Sequence, residues 1–236
     1  MSKIVVFGAG GRGGRRSVEE ALSRGHRVTA VVRDPAKYAD LATSGAVMVA
    51  GDVTDADAVA VVAEGHDAAI VSVYRADVPA DEFYGACAKA MLAGLGKAGV
   101  GRMVVLGIGT LLETAPGVRF MDQPGLPPPF RPFNLGRAVE LEVLRTTESD
   151  VDWVVVAAPP TPLDDEAPRT GRYRTTGNEL LPYDDGDGPT FDYPYDDRGP
   201  RFTFSDLAVA LVDEADNPAH HRELVGVTHP DARGKA

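Results

Sequence analysis

The sequence predicts an α/β fold: a doubly wound, mainly parallel sheet with long loops at the carboxyl ends of its strands. Three observations predict it. Short valine-rich runs alternate along the chain with segments whose apolar residues recur at helical spacing. A glycine cluster, Gly8 to Gly14, separates the first apolar run from the first helical segment. The run Ala68 to Val73 is nearly unbroken in its apolar character, as expected of a strand buried on both faces of a parallel sheet.

Taken in order, Lys3 to Phe7 reads as the first strand, and Val18, Ala21 and Leu22 carry a helix to a stop at Gly25. Arg27 to Val32, rich in β-branched residues, is the second strand. It ends near Arg33, because Asp34 precedes a proline and so avoids helical angles. Next come a short strand at Val47 to Ala50, a helix over about Asp55 to Glu64, and the strand Ala68 to Val73. A long helix over about Asp81 to Ala98 leads to a strand at Arg102 to Leu106, a helix over about Leu135 to Thr147, and a strand at Trp153 to Ala158. Ser205 is the expected N-cap of a closing helix through Asp216, and Glu223 to Thr228 supplies a last strand.

Two stretches break the alternation. Gly107 to Pro132 holds six prolines, and Pro159 to Pro200 is proline-rich with acid clusters around Asp184 and Asp196. Both leave the carboxyl ends of strands, where open α/β sheets bind ligands, so they are expected to cover a substrate; plain surface decoration is the alternative.

The 236 residues fall within the range of one large α/β domain. The whole chain is therefore read as a single domain, 1–236, with substrate-side loops at about 107–132 and 159–203. No apolar run approaches the roughly 20 residues that a membrane span requires. The start, MSKIVVFGAGG, shows no long apolar region with a cleavage site, which points to the cytoplasm. A lone Cys87 suits that compartment, and its alanine-rich helical surroundings favour a buried inert thiol over a nucleophile. A net charge of -11 with scattered basic residues argues against nucleic acid as a partner. The histidines, including His220-His221, show no metal-ligand spacing, so no metal is expected.

The chemistry is carried by Gly8-Ala9-Gly10-Gly11-Arg12-Gly13-Gly14 between the first strand and the first helix. There, backbone amides and the helix dipole favour a pyrophosphate, which marks a Rossmann-type dinucleotide site. Gly8 would permit the tight turn, Gly11 the approach of backbone to phosphates, and Gly14 close packing of the helix on the sheet. Sites for the unphosphorylated cofactor place an acid at the end of the second strand. Here Arg33 stands at that end, which favours NADPH over NADH. Arg12 and Lys37 either extend this cationic pocket or are solvated surface residues. Asp52-Val53, after the third strand, either meets the adenine or is, at Asp52, an ordinary helix cap.

With GAGGRGGR at the first turn, VVRDP after the second strand, GDVTD after the third and GHDAAI entering the fourth, the sequence resembles the atypical short-chain dehydrogenases/reductases with an NmrA-like NAD(P)H-binding domain. Within them it is most similar to the NADH-flavin reductase branch. TLLETAPGVRFMD, VDWVVVAAPP, RTGRYR and FSDLAVALVDEADNPAH extend the likeness over most of the chain. The resemblance implies a nicotinamide lying along the strand ends, with Ser72, Val73, Gly107 and Thr110 around it and Pro159 bordering the same ring. The chain departs from the family in having Tyr74-Arg75 in place of small residues, Thr110 in place of a serine, and an enlarged stretch from Pro182 to Pro200.

Short-chain dehydrogenases use a tyrosine with a lysine four residues later to protonate the nascent alkoxide. This chain has no such pair: Tyr84 is followed by Ala88, and Lys89 lies one position too far. Hydride transfer to a flavin needs less, because solvent provides the proton and the protein chiefly holds two flat rings together. The sequence therefore points to an NAD(P)H-dependent reductase of a flavin, quinone or related conjugated small molecule, the flavin being substrate rather than prosthetic group. Thr110 and Tyr74 are candidate hydrogen-bond donors to the acceptor. Phe120, Phe130 and Phe133 form either an aromatic wall for it or packing beneath a loop. A non-catalytic redox sensor of NmrA type, and a ketoreductase or isomerase of secondary metabolism, are the alternatives. The chain is expected to act as a monomer or homodimer.

Overall fold

The structure, a computed structural model, describes residues 1–41, 44–160, 163–180 and 202–231. The principal elements are β1 (Lys3–Phe7), α1 (Arg12–Ser23), β2 (Arg27–Val32), β3 (Val47–Ala50), α2 (Ala56–Ala63), β4 (Ala68–Val71) and α3 (Ala80–Ala98). They continue as β5 (Arg102–Ile108), β6 (Glu113–Ala115), β7 (Val118–Arg119), α4 (Arg131–Thr146), β8 (Asp152–Ala158), β9 (Arg174–Thr175), α5 (Phe204–Asp216) and β10 (Glu223–Thr228). One sheet runs in the order β3-β2-β1-β4-β5-β8-β10-β9. Its neighbours are parallel except the short β9, which pairs antiparallel with β10.

Alternation along the strands divides the core in two. Val5 and Phe7 of β1 turn toward the side of Val59 on α2, Met91 and Leu95 on α3, and Leu141 and Leu144 on α4. Ile4 and Val6 turn the other way, toward Val18 on α1 and Leu207 and Leu211 on α5. Helices on both faces explain why the strands read as unbroken apolar runs, each buried Val, Leu or Phe contributing about 1.5–3 kcal/mol. Cys87 lies in the first of these cores, where burial pushes its thiol far up, as an inert thiol requires.

Several boundaries differ from expectation. α4 begins at Arg131 rather than near Leu135, because Pro132 sits in the first turn, where its missing N–H breaks no helical bond. α5 is capped by Thr203 rather than Ser205: the Thr203 hydroxyl accepts from the Asp206 amide at 2.8 Å. β4 stops at Val71, whereas β5 runs on to Ile108.

Both long loops are tied to the body where they are described. In the first, β6 and β7 form a small hairpin turned through Gly117, and Leu111, Leu112, Phe120 and Met121 are buried. In the second, the Asp206 carboxylate accepts from the Thr170 and Gly171 amides and the Thr170 hydroxyl, while Arg169 grips Glu20 of α1 at 2.6 and 2.8 Å. The acidic stretch 182–200 lies, with its neighbours 181 and 201, outside the described residues.

At the opposite, amino-terminal end of the strands, Arg102 joins β5 to Asp152 of β8 and Glu214 of α5, and His221 and His220 pair with those two carboxylates at 2.7 Å each. That is where the neighbouring histidines belong: they bind structure together away from the loops. No helix among the described residues is long and apolar enough to cross a membrane.

Candidate functional site

β1 delivers the chain to Gly8, whose φ of +80° only glycine adopts without strain. The amides of Gly8 and Ala9 both donate to the Val31 carbonyl at 3.1 Å, and that of Gly11 donates to the Gly8 carbonyl at 3.1 Å. A Cβ on Gly8 would fall 2.1 Å from the Ser72 carbonyl oxygen, and one on Gly14 would fall 2.2 Å from the Gly8 carbonyl oxygen. Gly10 lies under the Tyr38 ring, and Gly13 lies against Leu106 and the Ser72 hydroxyl.

Gly11 differs from all of these. A Cβ there would meet no protein atom nearer than 3.5 Å, so packing does not demand a glycine. Gly11 is the N-cap of α1, whose first amides have no intrahelical acceptors, and it caps that helix without a side-chain bond. A phosphate group fits this cradle of open backbone and dipole.

Arg33 is exposed immediately after β2 and enters no ion pair among the described residues. Its neighbour Asp34 is occupied locally, accepting from the Ala36 amide at 3.2 Å and facing Lys37 at 3.5 Å. Lys37 is thus partly neutralised. Arg12 points across to the second long loop, pairing with Asp165 at 3.2 Å and covering the Phe204 ring at 4.9 Å. Of the three cations singled out in the sequence, Arg33 alone makes no carboxylate ion pair among the described residues, although its charge acts on Asp52 and Asp77.

Asp52 is not the helix cap; Asp55 is, accepting from the Asp57 and Ala58 amides. Asp52 instead accepts from the Thr54 hydroxyl at 2.6 Å and amide at 2.9 Å, and those bonds, helped by Arg75 and Arg33, hold its carboxyl below the usual range. Val53 packs half-buried on the core beside it.

Ser72 and Val73 follow β4, the Ser72 amide extending the ladder to Phe7 at 2.9 Å. Gly107 is packed so closely that a Cβ would meet Val155 at 2.5 Å. Pro159, past the end of β8, lines a small, mostly apolar recess with Leu112, Pro160, Thr176, Leu180, Val227 and Thr228. The Thr110 hydroxyl donates to Asn134, whose amide nitrogen is oriented by the Phe130 carbonyl at 2.8 Å. In this arrangement the Thr110 proton is already committed. Tyr74 is exposed, its ring edge-on to Phe133 at 5.8 Å.

The suggested aromatic wall does not form as a unit. Phe120 is buried in the body and Phe130 is exposed, while Phe133 joins Tyr74 and Tyr84 in a cluster. The sequence reading also missed buried Asn134, Arg137 and Glu140 on α4. Asn134 fell outside the expected helix, and an Arg-Glu pair three residues apart usually marks a solvated face.

Residues 8–188 match the family described as NAD(P)H-binding. Among solved structures, the fold is shared with a Burkholderia pseudomallei protein described as exported, at 30% identity and a TM-score of 0.80 over 97% of this chain and 100% of the other. A Bacteroides thetaiotaomicron protein described as an epimerase matches at 30% identity and a TM-score of 0.79, over 98% and 99%. A Streptococcus pneumoniae TIGR4 protein assigned as an NADH-flavin reductase matches at 25% identity and a TM-score of 0.75, over 97% and 100%.

Proposed function

The chain belongs to the NAD(P)H-binding family, and from that premise we propose that it is an NAD(P)H-dependent oxidoreductase, preferring NADPH, that passes hydride to a flavin, quinone or related conjugated acceptor. The cofactor reading rests on the glycine at position 11, which packing does not demand, at the N-terminus of α1, with Gly8, Gly10, Gly13 and Gly14 shaping the turn for the diphosphate. Arg33 would hold the 2'-phosphate, and Asp52 and Val53 would meet the adenine. Ser72, Val73, Gly107 and Pro159 would border the nicotinamide. When bound, the reduced nicotinamide supplies the hydride, and solvent supplies the one proton that completes the reduction.

The acceptor class follows from what the strand ends lack. Burial pushes the Tyr84 phenol up to about 12, the Thr110 hydroxyl donates its hydrogen bond to Asn134, and Tyr74 has no lysine at the helical spacing of the dehydrogenase dyad. Among these three hydroxyls, none stands ready to protonate an alkoxide. An acceptor whose reduced form takes its proton from water does not need one. The assignment of the Streptococcus pneumoniae relative supports the same class.

The test is titration with NADPH and NADH, followed by stopped-flow oxidation of the bound cofactor with flavin mononucleotide and with menadione. Arg33→Ala is expected to raise the NADPH Kd about tenfold, the worth of one charge-assisted contact, while changing that of NADH little. Rapid oxidation supports the reductase. Tight binding with no oxidation by either acceptor overturns it.

A further inference from the structure

Beneath the strand ends lies a buried charged cluster that the proposed chemistry does not use. β4 and β5 pair only as far as Val71 opposite Val105, and beyond that point their chains diverge. The next polar backbone groups would be left without ladder partners, and two helices supply them from the side. The Leu106 carbonyl accepts from the Arg137 guanidinium of α4, and the Val73 carbonyl accepts from the Tyr84 hydroxyl of α3 at 3.3 Å. The two donors are themselves joined, the guanidinium lying over the Tyr84 ring at 4.6 Å. Glu140, one helical turn along α4, faces the guanidinium at 2.9 and 3.2 Å.

Arg137 and Glu140 are each 3% exposed or less, so this ion pair bears its desolvation in full. The guanidinium Nε has no acceptor among the described residues. Hydrophobic side chains would fill the same volume at less cost. What the charges achieve that hydrophobic residues would not is a fixed separation between two carbonyls, one at Val73 and one directly before Gly107.

We propose that Arg137, acting with Tyr84, is a positioning residue that locks the diverging ends of β4 and β5 into one geometry under the nicotinamide. This rests on the cofactor reading above, which puts Val73 and Gly107 beside that ring. The clamp governs the nicotinamide end of the site only. The adenosine end is built by β2, β3 and the glycine turn.

The cluster also confers a pH dependence. Facing Glu140 are Arg137 on its own helix and, from α3, Tyr84 and Cys87; Asp52 acts on Cys87 from beyond β3. Burial raises the phenol and the thiol out of the neutral range, so of the groups in the cluster Glu140 alone titrates near neutrality, at about 7. Protonated, it leaves Arg137 without its anion, and the clamp loosens.

The experiment compares wild type with Tyr84→Phe, Arg137→Met, Arg137→Lys and Glu140→Gln. It measures 2',5'-ADP affinity, the fluorescence of the nicotinamide in bound NADPH, and single-turnover oxidation of NADPH by menadione. In Arg137→Met, 2',5'-ADP affinity should stay within about twofold, while the emission enhancement is lost and oxidation slows about tenfold. Arg137→Lys recovers part of both, since an ammonium lacks the fork that spans Glu140 and Leu106. Wild-type oxidation should rise between about pH 6 and pH 8, and Glu140→Gln should flatten that rise. Variants that bind 2',5'-ADP yet match wild type in emission, rate and pH profile overturn the clamp alone. Should Arg137→Met fail to fold, Tyr84→Phe, which removes one oxygen, decides by the same readouts. Wild type that binds neither 2',5'-ADP nor NADPH overturns the cofactor reading and the clamp with it.

Discussion

At Gly14 a methyl group would strike the Gly8 carbonyl at 2.2 Å, backbone against backbone, with nothing free to yield. At Gly11 the nearest atom is 3.5 Å away, an ordinary contact. Gly14 serves the fold, Gly11 on the proposed reading serves the ligand, and alanine separates the two roles. Gly14→Ala should destabilise the protein by about 2 kcal/mol or more, the scale of an overpacked core. Gly11→Ala should leave the melting temperature within about 2 °C and still raise the NADPH Kd tenfold or more, since a Cβ there stands only in the way of phosphates. Thermal unfolding and nucleotide titration check both. The turn that these glycines make was legible in the sequence because turn geometry is local. The fate of Thr110 was not: its proton goes to Asn134, 24 residues away on another element, and no spacing rule pairs them.

Among the elements, α5 shows how a boundary is set. Thr203 and Ser205 both carry the hydroxyl that an N-cap needs, and the sequence reading names Ser205. The Thr203 side chain takes the Asp206 amide, and residue 203 also bridges to Asp164, so the tertiary contact chooses between two equivalent caps. Thr203→Ala should cost about 1 kcal/mol in denaturant unfolding, and Ser205→Ala less than about 0.5 kcal/mol; the reverse order would restore Ser205 as the cap. The hairpin of β6 and β7 was illegible for a related reason. Two strands of three and two residues carry no periodicity, although Pro116-Gly117 at their turn was a signal in plain view. Phe120 could not be told from a ligand-facing aromatic, because burial beneath a 3-10 turn is invisible to a one-dimensional pattern.

For the molecule as a whole, Glu140 links stability to pH. Its carboxyl moves from an ordinary 4.5 to about 7 on folding, chiefly through burial and despite Arg137. The folded state therefore holds the extra proton across that interval. The stability this confers is complete below about pH 4.5 and is lost as pH rises to about 7. Relative to Glu140→Gln, wild type should lose on the order of 3 kcal/mol between these limits and change little above them, as read from urea unfolding at a series of pH values. A parallel slope in both proteins would assign the effect elsewhere. Asp52 and Glu20, held below their usual range by hydrogen bonds, act in the opposite sense at acid pH. The sequence by itself determined the parallel α/β sheet, the order of its main elements and the glycine turn, because alternation, helical spacing and tight turns are written in residues close along the chain. Only the tertiary structure decided which charges are buried and which donors are spent. Arg137 meets Leu106, Arg102 meets Glu214, and Arg169 meets Glu20 across separations of 31, 112 and 149 residues, and the energy of such a pair depends on a desolvation that no local pattern records.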